Sequence, residues 1–169
     1  SRGALAVDIN PDGVGLANVS SCGLPEPWPK GFRIPHPKNL GKSDGEFQVI
    51  LYPSGFLYLR VPELAYASGF RRRYLIGVLA KVVVDIAKAL GKPVAMESLS
   101  FSEGRLDTEN AFNRMASQFP YAAIGLAILR RAIKENVGYK QVPPQHTAPI
   151  GRRPYAQTAG GPGHGAAAL

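Results

Sequence analysis

The chain has 169 residues, 45% of them hydrophobic and 19% charged, which is ordinary for one globular domain with a full core. Twenty lysines and arginines against 12 acids give a net charge of +8; this favours a polyanionic partner, nucleic acid first, although small basic proteins without one are common. Cys22 is the single cysteine, which excludes an intramolecular disulfide and a zinc ribbon, and the absence of a long apolar run or a signal-peptide pattern predicts a cytoplasmic protein that does not bind membranes.

The first predicted element is a strand over residues 4–10, an apolar run that contains one acid, Asp8. Strand alternation places Asp8 on the face of Ala4 and Ala6, opposite the larger apolar side chains. Because its neighbours on that face are small, the sequence predicts open space around the carboxylate.

A hairpin is predicted next, with a Pro-Asp-Gly turn at residues 11–13 and a returning strand over residues 14–20. Asp12 is a competing candidate for chemistry, but an aspartate in such a turn usually serves the turn itself.

Residues 21–45 are rich in proline, glycine and lysine and predict a long surface loop inserted in the domain. Its Trp28, Phe32 and His36 lie among several basic residues, an arrangement that can stack on and neutralise a nucleic-acid strand. The alternative is that these aromatic side chains attach the loop to the domain.

Two further strands, over residues 47–52 and 56–61, are separated by a Pro-Ser-Gly turn and extend the antiparallel meander. A helix is then predicted between residues 63 and 90 from apolar side chains at three- and four-residue spacing. Arg71, Arg72 and Arg73 open this helix, at the end that its dipole makes unfavourable for cations. Phosphate contact is one explanation, and a solvated basic turn is the other.

The apolar run after this helix carries Glu97 at its end and predicts a buried strand. A buried carboxylate needs a polar cleft, a cation or a metal ion. A strand reached by a crossover helix lies parallel to its partner. If it neighbours the first strand, Asp8 and Glu97 face each other and repel unless a divalent cation lies between them.

The rest of the sequence predicts a polar loop, helices over residues 110–119 and 120–137, and a short last strand over residues 139–142. In the second helix we expect an apolar stripe that includes Ile124, Leu129 and Ile133. The predicted fold is α/β: one domain over residues 1–169, with a mixed sheet of about five strands, an antiparallel meander plus parallel strands, flanked by helices.

This layout, with an acid in the first strand and another after the crossover helix, is that of an RNase H-like fold, and the residues carry a closer resemblance. The chain resembles the RuvC-like nuclease domain of the OrfB/TnpB transposase family, insertion-sequence proteins related to type V CRISPR effectors. The segments that carry the resemblance are Ala-Val-Asp-Ile-Asn at residues 6–10, Val-Ala-Met-Glu-Ser-Leu at 94–99, Phe-Asn-Arg-Met-Ala-Ser-Gln-Phe-Pro-Tyr at 112–121 and Val-Pro-Pro-Gln-His-Thr-Ala-Pro-Ile-Gly at 142–151.

The resemblance implies endonucleolytic phosphodiester hydrolysis of DNA at a site with two Mg²⁺ (or Mn²⁺) ions, and it makes a guide RNA a further candidate partner. Asp8 would be the bridging metal ligand and Glu97 would hold one ion. Arg114 and Gln118, together with the arginines at residues 71–73, would bind nucleic acid.

The sequence also departs from the family. Gly165 stands where a third acid is expected, and the final helix is truncated; His164 is the candidate substitute as ligand or base. The zinc ribbon of many relatives is absent. A serine in place of an initial methionine is compatible with an excised domain.

These departures keep three interpretations open. The first is a weak or incomplete metal-dependent endonuclease. The second is a catalytically inactive nucleic-acid-binding or regulatory module of the same fold. The third is a fragment of a sugar or acetate kinase-like ATPase, which lacks support because no second phosphate-binding glycine loop follows Asp12. None of them defines the oligomeric state.

Overall fold

The computed structural model describes residues 2–34, 47–97 and 121–142. They form six strands, two α-helices and a short 3₁₀ turn at Pro62–Ala65. The strands are β1 (Ala4–Asn10), β2 (Gly13–Val19), β3 (Gln48–Tyr52), β4 (Phe56–Arg60), β5 (Val94–Glu97) and β6 (Tyr139–Val142), and the helices are α1 (Gly69–Leu90) and α2 (Tyr121–Lys134).

All six strands belong to one mixed sheet in the order β3-β4-β2-β1-β5-β6. The pairs β1–β2, β2–β4 and β3–β4 are antiparallel, whereas β5 is parallel to both β1 and β6. The predicted α/β class and mixed sheet are therefore confirmed. The sheet has six strands rather than about five, because each of the six segments predicted as strands, including the edge strand β3, joins the same sheet.

Helix α1 makes the crossover that brings β5 parallel to β1. It ends at Gly91, whose φ of 66° is in the left-handed region, and the backbone N–H groups of Gly91 and Lys92 donate to the last carbonyls of the helix. Two residues later the chain enters β5, whose Val94 pairs with Leu5 near the start of β1. The helix therefore begins at the end of the sheet where β1 finishes and returns to the end where β1 starts.

The main core lies between one face of the sheet and both described helices. Leu5, Leu16 and Leu59 from the sheet pack with Leu79 and Ile86 of α1. The apolar spacing read from the sequence of α1 is confirmed, because most of the side chains that define it are buried.

The apolar stripe expected for α2 was wrong in part. Ile124, Ile128 and Ala132 are buried, whereas Ile133 is 62% exposed. These buried residues follow an i, i+4, i+8 spacing, Gly125 is buried beside them, and this narrow stripe packs α2 against the core that it shares with α1.

The described part of the proline-rich segment is attached to the domain. Trp28 Nε1 donates to the backbone carbonyls of Tyr52 (3.2 Å) and Phe56 (3.3 Å), and its ring stacks on Phe32 at 5.5 Å. These two aromatic residues therefore attach the loop, as the alternative interpretation had it. The buried Lys92 forms an ion pair with Glu26 of this loop and donates to Asn18 Oδ1 of β2 at 2.6 Å. Lys92 therefore also attaches the loop to the sheet.

Within the described ranges, no helix combines the length and the apolar character that crossing a membrane requires. The helix predicted over residues 110–119, His36 and the chain after residue 142 lie outside the described residues.

Candidate metal site

Asp8 and Glu97 lie side by side on neighbouring strands. The β1–β5 ladder pairs Val7 with Met96, so Asp8 and Glu97 are the next residues on two parallel strands. Because side chains alternate along a strand, both carboxylates project from the face that carries Ala6 and Ala95. Adjacent strands are about 4.8 Å apart, so the two acids are direct cross-strand neighbours. The predicted adjacency and parallel pairing of these two strands are confirmed.

The nearest neighbours of Asp8 on this face are small. Its other cross-strand neighbour, on β2, is Gly15, which has no side chain. Along β1 and β5 the preceding positions on the same face hold Ala6 and Ala95. Beyond Gly15, the buried Tyr58 of β4 is the next residue across the sheet on this face. Both acids are half-buried.

Polar side chains contact each carboxylate. The buried Asn10 places Nδ2 at 3.3 Å from the backbone oxygen of Asp8 and 3.5 Å from its Oδ2. The hydroxyl of Tyr121, at the start of α2, donates to Glu97 Oε2 at 3.2 Å. A donor to each acid restricts the rotamer of its carboxylate. Sequence reasoning missed both residues, although Asn10 shares a face with Asp8 by simple alternation.

The structure gives Asp12 a structural role beside this site. Tyr58 donates its hydroxyl to Asp12 Oδ1 at 2.6 Å, Arg60 Nε donates to Oδ2 at 3.2 Å, and the Asp12 backbone oxygen accepts from Val61 N–H at 2.6 Å. Burial, followed by the hydrogen bond and the charge of Asp12, raises the pKa of Tyr58 far above its ordinary value. Asp12 therefore joins the β1–β2 turn to the end of β4.

Of the basic residues proposed to bind nucleic acid, the structure describes Arg71, Arg72 and Arg73. They lie in the first turns of α1, at the same end of the sheet as Asp8 and Glu97, but α1 covers the opposite face. Arg71 pairs with Glu63 through Nε and through Nη2, the latter at 3.1 Å from Oε1. Arg114, Gln118, His164 and Gly165 lie outside the described residues, so their placement relative to the acids stays a prediction.

Within residues 2–34, 47–97 and 121–142, no group of three or more His, Cys, Asp or Glu side chains is placed to hold a metal ion. The described residues thus supply two carboxylates, and both donate the hard oxygen atoms that Mg²⁺ and Mn²⁺ prefer. The donor type therefore fits the predicted metal.

Comparisons of the chain with protein-family models, with curated proteins and with solved structures find no match.

Proposed function

We propose that this chain is a RuvC-like endonuclease domain of the transposase type, which hydrolyses DNA phosphodiester bonds with a divalent metal ion bound at Asp8 and Glu97. The observation that carries the proposal is the pairing of β1 with β5, which makes two acids from distant parts of the sequence direct neighbours on one face. An α/β domain has little reason to place two carboxylates together unless a cation is held there.

In this proposal the chain supplies rigid ligands. Asp8 and Glu97 are anchored in strands of the central sheet, so the sheet sets their separation and neither needs a loop movement to reach the ion. Asn10 and Tyr121 hold the two carboxylates in position by donating to them. A bound Mg²⁺ or Mn²⁺ would activate water and stabilise the charge on the leaving oxygen.

The chain topology is compatible with the RNase H-like fold that we propose. The features that support it are a β1–β2 hairpin extended by β4, a crossover helix and a β5 strand parallel to β1. The edge strand β3 is an addition to that arrangement. The OrfB/TnpB assignment rests on the four sequence segments that carry the resemblance, two of which contain Asp8 and Glu97.

A second candidate is a nucleic-acid-binding module of the same fold that has lost catalysis. The observation that favours it lies in the sequence rather than in the described residues. Gly165 occupies the position where the resemblance expects the third. With one ligand fewer we expect one metal ion to bind better than two, and cleavage to be weak.

The test is cleavage of supercoiled plasmid and of single-stranded DNA in Mn²⁺, with the wild type, Asp8→Ala and Glu97→Gln. The proposal expects slow wild-type cleavage that both substitutions abolish, with DNA binding retained. Asp85→Asn is a matched control, because it removes one negative charge from α1, where Asp85 pairs with Lys81. Metal binding without any cleavage by the wild type would favour the inactive module. Cleavage that survives Asp8→Ala would contradict both candidates.

A further inference from the structure

The first turns of α1 expose large aromatic side chains to solvent. Phe70 is 84% exposed, and Tyr66, in the turn that precedes the helix, is 71% exposed. Tyr74, one turn after Phe70, is 42% exposed. Scattered exposed aromatics are common, but three within nine residues mark an interaction surface.

Arginine side chains are interleaved with these rings. The Arg73 guanidinium lies over the ring of Phe70, with Cζ 4.7 Å from the ring centroid, and the Arg71 guanidinium lies 5.7 Å from the centroid of Tyr74. Phe70, Arg73 and Tyr74 are spaced i, i+3, i+4, so they share one side of the helix. We call Tyr66, Phe70, Arg73 and Tyr74 the aromatic–arginine patch.

The charges within the patch are not equivalent. Arg71 is neutralised by its ion pair with Glu63. Arg73 is exposed and takes part in none of the ion pairs between described residues. Its guanidinium therefore offers both a stacked plane and an available positive charge.

We propose that the aromatic–arginine patch binds an unpaired nucleic-acid strand, with a base stacked on Phe70 and its phosphate neutralised by Arg73. This inference rests on the nucleic-acid partner of the proposed function but not on the metal site. Single strands are bound by this combination of aromatic rings and cations, because every unpaired base exposes a ring face. A duplex keeps its base faces covered, so it offers Phe70 nothing to stack on.

Other occupants fit the patch less well. A second copy of the chain docked patch to patch would bring Arg72 and Arg73 against their equivalents, and this like-charge repulsion opposes self-association. An acidic protein would match the charge, but it would not specifically use an aromatic ring that already carries a guanidinium.

The position of the patch suits the proposed reaction. Because α1 begins where β1 ends, the patch lies at the same end of the sheet as Asp8 and Glu97, although the helix covers the other face. A strand held on the patch would therefore have to pass around this end of the sheet to reach the acids. The patch would hold the strand beside the site rather than in it.

The test is fluorescence anisotropy at low salt with a labelled mixed-sequence DNA strand and with the same strand annealed to its complement. We expect the wild-type protein to prefer the single strand. Phe70→Ala should weaken single-strand binding about 5- to 10-fold, the loss expected for one stacked base, and leave duplex binding unchanged. Alanine suits an exposed helical position, so the fold is retained.

Two further substitutions of Phe70 distinguish the loss of ring stacking from the loss of apolar surface. Phe70→Trp should keep single-strand binding and Phe70→Leu should lose it, because leucine is apolar but offers no ring face. Tyr139→Ala is the matched control: Tyr139 is 45% exposed but opens β6, at the opposite end of the sheet. It should bind like the wild type.

Several outcomes would overturn the inference. Equal binding by Phe70→Ala and the wild type would do so, as would full binding by Phe70→Leu. Weakening of both probes by Arg73→Gln, with Phe70→Ala silent, would leave an electrostatic nucleic-acid surface without stacking. No binding of either probe, or concentration-dependent self-association that Phe70→Ala abolishes, would assign the patch to protein contact. Metal binding at Asp8 is measured separately, so its failure is distinguishable from these.

Discussion

Replacement of Asp8 by asparagine should uncouple the stability of this protein from divalent metal. In the metal-free protein, two carboxylates on strands about 4.8 Å apart repel by about 1–3 kcal/mol for an effective dielectric between water and protein interior. Asparagine removes that repulsion, keeps the size of the side chain and can still accept from Asn10 Nδ2 through its amide oxygen. We therefore expect the free energy of unfolding in EDTA to be at least that of the wild type.

Added metal should reverse this order. Mn²⁺ at about 100 times its dissociation constant stabilises the wild type by about 2.7 kcal/mol, which raises Tm by about 5–10 °C for a chain of this size. Asp8→Asn, with one metal ligand fewer, should gain only a small part of that increase. Circular-dichroism melts in EDTA and in increasing Mn²⁺ measure both quantities.

The control for charge is Asp85→Asn, which changes the net charge equally but should respond to Mn²⁺ like the wild type. Glu97→Gln should behave like Asp8→Asn, since the two acids are expected to hold the same ion. Equal increases in Tm for the wild type and both acid variants would refute a metal site at these residues, whatever the effect of metal on cleavage.

Three further predictions concern other parts of the structure. Because the pKa of Tyr58 is raised above its ordinary value near 10, the folded state keeps a proton that the unfolded state loses. Wild-type stability should thus fall above about pH 10, by up to about 1.4 kcal/mol per pH unit, and urea titrations of Tyr58→Phe should lack this fall. Trp28→Phe should cost about 1 kcal/mol in urea unfolding, since two backbone carbonyls lose their donor; an unchanged midpoint would mean that water replaces it. Single-strand affinity should decrease steeply with salt, and Arg73→Gln should lower the log–log slope by about 1; a flat salt response would exclude phosphate contact.

Much of the fold follows from local sequence patterns. The alternation in residues 4–10, the Pro-Asp-Gly turn and the three- and four-residue spacing of α1 each define one element and one buried face. The crossover rule then makes β5 parallel to a strand already in the sheet. The sequence constrains less strongly which strand pairs with β5. An acid in each of two apolar strands favours β1 as the partner, because one shared cation would neutralise both buried carboxylates.

The hydrophobic pattern does not predict the buried face where most residues of an element are apolar. Residues 121–133 of α2 are mostly apolar, so several stripes fit a helical period and the sequence does not choose between them. Packing against α1 makes the choice, since Gly125 and Ala132 allow a closer approach than Leu126 and Ile133. The position of the edge strand β3 is also weakly constrained by the sequence. The segment is recognisable as a strand, but its place beside β4 follows from the hairpin alone.

The sequence predicts the two acids of the candidate site, but it does not predict the residues that donate hydrogen bonds to them. Asp8 and Glu97 are conspicuous because each is a charge inside an apolar run. Tyr121 gives no such signal, since a tyrosine at the start of a helix has many uses, and its contact with Glu97 requires the packing of α2 on the sheet. The contact of Asn10 with Asp8 could have been predicted from the sequence. Asn10 is a buried amide on the face of Asp8, and a buried amide needs hydrogen-bond partners.

The charge distribution gives a physical reason for one protein to have both the acid pair Asp8 and Glu97 and the aromatic–arginine patch. Two adjacent carboxylates repel a phosphodiester, so a polyanion reaches them only if a cation neutralises the acids and other cations hold the strand. The structure places the exposed Arg73 at the end of the sheet where the two acids lie, but on the helix that covers the opposite face, and among the described residues Arg73 forms no ion pair with either acid. Arg60 differs, because it lies at the same end and forms an ion pair with Asp12. The separation of Arg73 from Asp8 and Glu97 is compatible with the metal-dependent nuclease that we propose, in which the acids hold a metal ion and Arg73 contacts a phosphate.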